Sequence, residues 1–237
     1  MKLNGIKITW LGHATFLIET SGGKKVIIDP WVTGNPVTPA DKKSFDRLDF
    51  MLCTHGHSDH VGDAAELAKK HNPTVVGIYE LCLLLQKHGA QQIAPMNKGG
   101  SQKVGDIMVT MVNAFHSGGF EDGSSLVYAG EPCGYVVEFE NGLKVYHAGD
   151  TCVFGDMAII HELYRPDIAM LPIGDRFTMG PKQATYACRL LKPEVVIPMH
   201  FGTFPMLTGT AEEFGKELKA ASLPVELITM KPGETIS

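Results

Sequence analysis

The sequence predicts an α/β protein in which two β-sheets pack together with helices outside, a four-layer αββα sandwich. Apolar stretches with strand-like patterning are grouped early and again late in the chain, helical stretches lie between them, and no linker, repeat or low-complexity segment divides them. At 237 residues the chain is long enough for one large domain with a full core, so residues 1–237 are expected to form a single domain.

Apolar residues alternate with others on both sides of L-G-H-A between Ile6 and Glu19, which predicts two short strands joined near Gly12; V-I-I-D, residues 26–29, predicts a third. D-P-W-V-T-G-N-P-V-T-P, residues 29–39, holds three prolines and a glycine and is expected to be an irregular surface loop. D-F-M-L-C-T, residues 49–54, is expected to be a buried strand, and D-A-A-E-L-A-K-K, residues 63–70, a helix. The alternation continues with a strand over 74–78, a helix over 80–88 ended by Gly89, and strands near Gln92, near Gln102 and over 107–114, 135–140 and 143–147. Asn141-Gly142 between the last two is a hairpin signal. Residues 168–173 and 195–199 have the pattern of buried strands, and helices are expected near 155–163, 181–191 and 211–220.

Composition excludes several classes of function. Hydrophobic residues make up 44% and charged residues 20%, a globular balance that argues against disorder. The net charge of -5 and the absence of any long basic run leave neither a nucleic acid nor an anionic membrane an electrostatic footprint. The five cysteines are scattered without C-x-x-C, as free thiols in a reducing compartment would be. No stretch has the apolar length of a signal peptide or a membrane span, so a cytoplasmic location is expected.

The chemistry is concentrated in C-T-H-G-H-S-D-H-V-G-D, residues 53–63, on a strand-to-helix turn. With ten histidines and twelve aspartates among 237 residues, H-x-H-x-D-H arises by chance about once in 10³ such chains. Neutral imidazoles at this density have little reason to converge without a metal. Three further candidates leave predicted strands into glycine-containing turns: His116 after M-V-T-M-V-N-A-F, Asp150 after L-K-V-Y-H-A-G, and His200 after V-V-I-P-M. One edge of the core could present all of them.

Taken in order, T-H-G-H-S-D-H, F-H-S, H-A-G-D-T and P-M-H-F-G resemble the metal motifs of the metallo-β-lactamase superfamily over nearly the whole chain. W-L-G-H-A-T, I-D-P-W and P-I-G-D-R-F-T-M-G-P narrow the resemblance to small metal-dependent hydrolases similar to the ascorbate-phosphate lactonase. That family's fold is the αββα sandwich, and part of the fold expectation rests on it. The resemblance implies one metal held by His55, His57 and His116, a second held by Asp59, His60 and His200, and Asp150 bridging the two. Such a donor set suits zinc, and also manganese or iron. Superfamily members that hydrolyse β-lactams often place a cysteine in the second site, where this chain has Asp150 to bridge. Flavin-linked oxygen reductases carry Glu in place of the second histidine, so His57 favours hydrolysis over redox chemistry.

Two divalent ions against Asp59, Asp150 and one hydroxide leave a centre of about +1 that favours an anion, and the ions make hydroxide available near neutral pH. The expected activity is hydrolysis of a small ester, lactone or phosphate-containing substrate, with Asp59 also orienting the water. The alternative is a phosphodiesterase or nuclease, against which stand the acidic charge and the lack of an inserted clamp domain. Outside the ligand set, Asp29 could fix the ring of a ligand histidine or cap a turn. His13 could donate a proton, contact substrate, or be a structural histidine. Arg176 could hold an anionic group bidentately or sit in a structural ion pair. Asp175, Thr178 and Met179 share its loop, and Trp31 and Phe201 border the predicted site loops. His147, on its strand, is assigned to packing or to support of the ligands, and His71, His88 and His161 are expected to face solvent. Self-association into a homo-oligomer is a further expectation from the lactonase-like relatives.

Overall fold

A computed structural model describes residues 3–237. The N-terminal alternation produces an antiparallel meander of β1 (Lys7–Gly12), β2 (Thr15–Glu19) and β3 (Lys25–Ile28), and β4 (Phe50–Leu52), β5 (Thr74–Ile78) and β6 (Ile93–Met96) extend the same sheet in parallel. Parallel neighbours need crossovers. The first, from β3 to β4, is the 29–49 segment with a short 3-10 turn at Ala40–Lys42; the second is made by α1 (Ser58–Val61) and α2 (Ala64–His71), and the third by α3 (Tyr79–Lys87), which packs on β5 and β6.

The second large sheet begins with β7 (Ser101–Val104) and β8 (Ile107–Asn113). A separate hairpin of β9 (Gly119–Asp122) and β10 (Ser125–Tyr128) precedes β11 (Cys133–Glu138), β12 (Lys144–His147), β13 (Ile168–Pro172), β14 (Val195–Met199) and β15 (Glu226–Leu227). Helices α4 (Met157–Tyr164), α5 (Pro181–Leu191) and α6 (Ala211–Ala220) alternate with the later strands, and β16 (Thr235–Ile236) returns to pair with β1. The strand orders are β16-β1-β2-β3-β4-β5-β6 and β15-β14-β13-β12-β11-β8-β7. Each sheet thus has an antiparallel half and a parallel half, and the whole is a four-layer αββα sandwich.

Local sequence explains the joints. Asn141 Oδ1 accepts from the Leu143 amide at 3.0 Å and Gly142 has φ 84°, which closes the β11–β12 hairpin. Pro181 opens α5, where its missing N–H costs nothing, and Gln183 Oε1 accepts from Gly180 N at 2.9 Å. Thr210 caps α6 by accepting from Glu213 N at 3.1 Å.

Every residue of β13 and β14 is buried, as parallel strands covered on both faces should be. Ile8, Phe16, Ile27 and Met51 of the first sheet join Met111, Tyr135, Val145 and Ile197 of the second in one apolar cluster. Each such side chain stabilises the fold by about 1.5–3 kcal/mol. Polar contacts also link the sheets near the parallel strand ends: Tyr135 donates its hydroxyl to Cys53 O at 2.7 Å, and His147 donates Nε2–H to Ala14 O at 2.9 Å.

Four local expectations change. The 29–39 segment is not a purely surface loop: Asp29, Val32, Asn35 and Thr38 are buried, because Asn35 turns its side chain inward to bond Trp31 O and Val37 N. His71, His88 and His161 are half-buried rather than solvent-facing, with His88 3.1 Å from Asp122 and His71 set edge-on to Phe45. The β9–β10 hairpin is an addition, its four-residue strands too short and too exposed to show a period. The one-turn α1 is also additional, and it carries half of the histidine cluster. Among the described residues no helix is long and apolar enough to cross a membrane.

Candidate metal centre

The candidate ligands gather at one edge of the sandwich, four of them just past strand ends and three on the short helix α1 or its cap. His55 follows β4, His116 follows β8, Asp150 follows β12 and His200 follows β14, while His57 caps α1 and Asp59 and His60 lie within it. Three groups of side chains come close enough to share an ion: His55, His57 and His116; His55, His60 and Asp150; and Asp59, His60 and His200 together with His13.

Asp150 is at the centre. Its Oδ2 is 3.0 Å from His200 Nε2, 3.3 Å from His60 Nε2 and 3.6 Å from His116 Nε2. On the other side, His55 Nε2 is 3.0 Å from His57 Nδ1. A tetrahedral ion with bonds of about 2.0–2.1 Å has ligand-to-ligand edges of roughly 3.3 Å, so these spacings suit such an ion. The nitrogens also lack other work: His60 Nε2, both ring nitrogens of His200 and Asp150 Oδ1 are buried without a hydrogen-bond partner, although their neighbours are within reach. Such groups are costly unless something compensates them. Among the described residues no cysteine joins the groups, and the donor set is imidazole and carboxylate throughout. The residues fit one or more divalent ions.

Asp29 backs the cluster from the end of β3. Its Oδ1 accepts from Thr54 N at 2.8 Å, and its Oδ2 lies 2.7 Å from Thr54 Oγ1 and 2.8 Å from His60 Nδ1. A carboxylate can only accept, so His60 carries its proton on Nδ1 and turns an unprotonated Nε2 towards Asp150 when neutral. His13 is fully buried between Thr203 and Asp59, with its ring centroid 3.9 Å from that of His200. Three of these residues hold left-handed backbone, His13 at φ 56°, Asp29 at φ 49° and His200 at φ 54°. Non-glycine residues rarely do so, and backbone of this kind concentrates at functional sites. Two turns that carry ligands need glycine outright: a Cβ on Gly56, between His55 and His57, would lie 2.7 Å from Gly119 O, and one on Gly149 2.5 Å from Cys133 O.

The electrostatics follow from burial and from three carboxylates. Burial pushes His55, His57 and His116 below the usual imidazole range, helped at the first two by His60. Burial, with His200, takes His13 down to about 4. At His60 burial is outweighed by Asp150 and Asp29, which raise its pKa well above the ordinary value. Burial would raise Asp150 and Asp59, yet His200 and His60 hold the first well below the carboxylate range, and the His13 hydrogen bond with His60 lowers the second. The metal-free centre therefore favours ionised Asp59 and Asp150 and a second ring proton on His60. Metal binding has to displace that proton.

A cavity of about 360 Å³ opens on the centre, lined by His57, Asp59, His116, Ser117, Asp150, Phe177 and His200. Asp59 is the more open carboxylate, with a side chain 29% exposed against 3% for Asp150. Arg176 lies outside the cluster, exposed, its guanidinium 5.5 Å from the Phe177 ring, and it makes no ion pair among the described residues. Asp175 and Arg176 are both left-handed, at φ 64° and 58°. Trp31 meets His13 edge-on and Phe201 stacks on Trp10. His147 is occupied by Ala14 O and by the Gly149 amide. Sequence reasoning missed Thr54, Ser117 and Thr203; the first two are hydroxyls directly beside His55 and His116, which is the signal that was available, whereas Thr203 stands three residues after His200 with no local sign of its partner.

An αββα sandwich that gathers histidines and aspartates at its strand ends defines a metal-dependent hydrolase class. The chain belongs to the UPF0173 metal-dependent hydrolase family of the beta-lactamase superfamily, whose domain profile matches residues 7–200. It is 58% identical over 237 residues to a metal-dependent hydrolase of Koribacter versatilis, covering 100% of both chains, and 51% identical over 236 residues to one of Rubrobacter xylanophilus, covering 99% of this chain and 97% of the other. Among solved structures, a metallo hydrolase from the hyperthermophilic archaeon Ignicoccus hospitalis superposes with TM-score 0.87 at 36% identity, covering 98% of this chain and 97% of that one.

Proposed function

We propose that the chain is a hydrolase with a two-metal centre that cleaves a small anionic ester, lactone or phosphate-containing substrate. His55, His57 and His116 would hold one ion, Asp59, His60 and His200 the other, and Asp150 both, with zinc as the leading choice. The observation that carries this reading is the placement of Asp150 Oδ2 within 3.0–3.6 Å of ring nitrogens from three separate strand ends or helices. Divalent ions bound there supply Lewis-acid polarisation and a more acidic water.

The residues divide the remaining work. Asp150 is sealed and serves as a ligand, whereas Asp59 faces the cavity and can accept a hydrogen bond from water. Its lowered pKa makes it a group that orients water rather than one that stores a proton. Asp29, fully buried, is a third carboxylate beside Asp59 and Asp150, which would bring a centre holding two divalent ions and hydroxide close to neutral. Preference for an anionic substrate then falls to Arg176 at the side of Phe177, free of an internal ion-pair partner and able to reach a carboxylate or phosphate. The cavity suits a compact molecule.

Metal content after reconstitution, measured beside a screen of lactones, phosphodiesters, thioesters and β-lactams, tests the proposal. About two ions per chain and turnover of an anionic member of that panel are expected. Full activity in metal-stripped protein would overturn it.

A further inference from the structure

Thr203 lies in the turn after His200, 8% exposed, with its Oγ1 2.9 Å from His13 Nδ1. The opposite ring nitrogen, Nε2, is 3.1 Å from Asp59 Oδ2. A neutral imidazole has one ring proton, and an ionised carboxylate can only accept. The proton therefore sits on Nε2, and Nδ1 accepts from the Thr203 hydroxyl, whose alternative acceptor, Phe201 O, is more distant at 3.5 Å.

Geometry separates His13 from its neighbours. His60 Nε2 and His200 Nε2 lie at similar distances from Asp150 Oδ2, 3.3 and 3.0 Å, yet neither meets hydrogen-bond geometry there. His13 aims at the oxygen. Its ring is wedged against His200 and Trp31, and its carbonyl accepts from Trp10 Nε1 and His200 N at 2.9 and 3.0 Å, so it cannot swing away.

We propose that Thr203 is a positioning residue: its hydroxyl fixes His13 in the Nε2–H tautomer, and His13 in turn holds one oxygen of Asp59 so that the carboxylate is set for metal and water. This rests on the reading of the cluster as a metal centre. His13 is then neither a ligand nor a proton donor to substrate, since its only ring proton is committed to Asp59. The device reaches across 190 residues of sequence between Thr203 and His13.

Nitrogen-15 and carbon-13 correlation spectra of histidine-labelled protein, assigned by loss of the His13 signals in His13→Gln, report the tautomer with and without added zinc. Nε2 protonation is expected in both states. Zinc titration of Thr203→Val should show one equivalent weakened by about 10–100-fold with a comparable fall in kcat and little change in KM, and Thr203→Ser should restore both. Nδ1 protonation in the zinc-loaded protein would make His13 a ligand and overturn the inference, as would an unaltered zinc titration in Thr203→Val. The expected tautomer and zinc response in a protein that hydrolyses none of the probes would instead count against the hydrolase reading and leave this one standing.

Discussion

Asp29 Oδ2 and His60 Nδ1 are 2.8 Å apart with both side chains fully buried, so the carboxylate at the end of β3 dictates which nitrogen of His60 faces Asp150. Asp29→Asn keeps the shape but brings an amide N–H against groups that already donate, Thr54 or His60. Zinc affinity is expected to fall by about 10–100-fold, read by competition with a chromogenic chelator.

Asp150→Ala removes the carboxylate on which His60, His116 and His200 converge. The fold should survive, since the apolar core is untouched, and circular dichroism should be unchanged. Metal analysis should find fewer than two ions per chain, and activity should drop by more than roughly 100-fold, beyond the loss typical of a supporting residue.

The metal-free protein should be acid-sensitive well above the carboxylate range. His13, His55, His57, His116 and His147 are all held below 6.5, so on unfolding they take up protons that the native state refuses. Their stabilisation is present above pH 6.5 and is lost as pH falls, on the order of 3 kcal/mol by pH 4 for His13 alone. His60 works in the other direction, its raised value adding stability below 6.5 that is lost as pH rises through its folded pKa. Five groups against one set the sign. Urea midpoints of chelator-treated protein should fall steadily from pH 7 to 5, and a flat profile would contradict it.

Arg176→Ala should raise KM for an anionic substrate by about tenfold and leave kcat nearly unchanged, the pattern of a lost binding contact. Arg176→Lys should recover only part, because a point charge does not reproduce a bidentate fork. Equal losses in kcat and kcat/KM would place Arg176 in the chemical step instead.

Gly56→Ala should cost about 1–3 kcal/mol through overpacking, since the new methyl would press on Gly119 O at 2.7 Å and Ala129 Cβ at 2.8 Å. Thermal melts measure it. The same variant should loosen the spacing of His55 and His57 and lower zinc affinity.

What the sequence reveals about this molecule follows the range of its interactions. His55, His57, Asp59 and His60 are legible because one turn holds them, and His116, Asp150 and His200 because strand patterning marks where each leaves the core. The Asn141-Gly142 hairpin and the helices over 181–191 and 211–220 are legible from local turn and capping chemistry. Thr203 is not, because nothing near residue 203 indicates that its partner is residue 13. The β9–β10 hairpin escapes for a different reason: it stands apart from both large sheets, with Leu126 and Tyr128 exposed, so no buried face imposes a period. Asn35 is buried by its own hydrogen bonds rather than by hydrophobicity, which loop composition does not announce.

The matching plans of the two sheets have a consequence for assembly. His55, His57, Asp59 and His60 come from the first sheet and its crossover, and His116, Asp150 and His200 from turns that leave the second. Neither half of the chain brings the full donor set, so an ion that needs both recognises only the docked sandwich. Bound there it would act as a rivet between the halves, and by mass action a tightly held ion would add several kcal/mol to their union. Metal supply would then govern how long the folded chain persists as well as whether it can turn over.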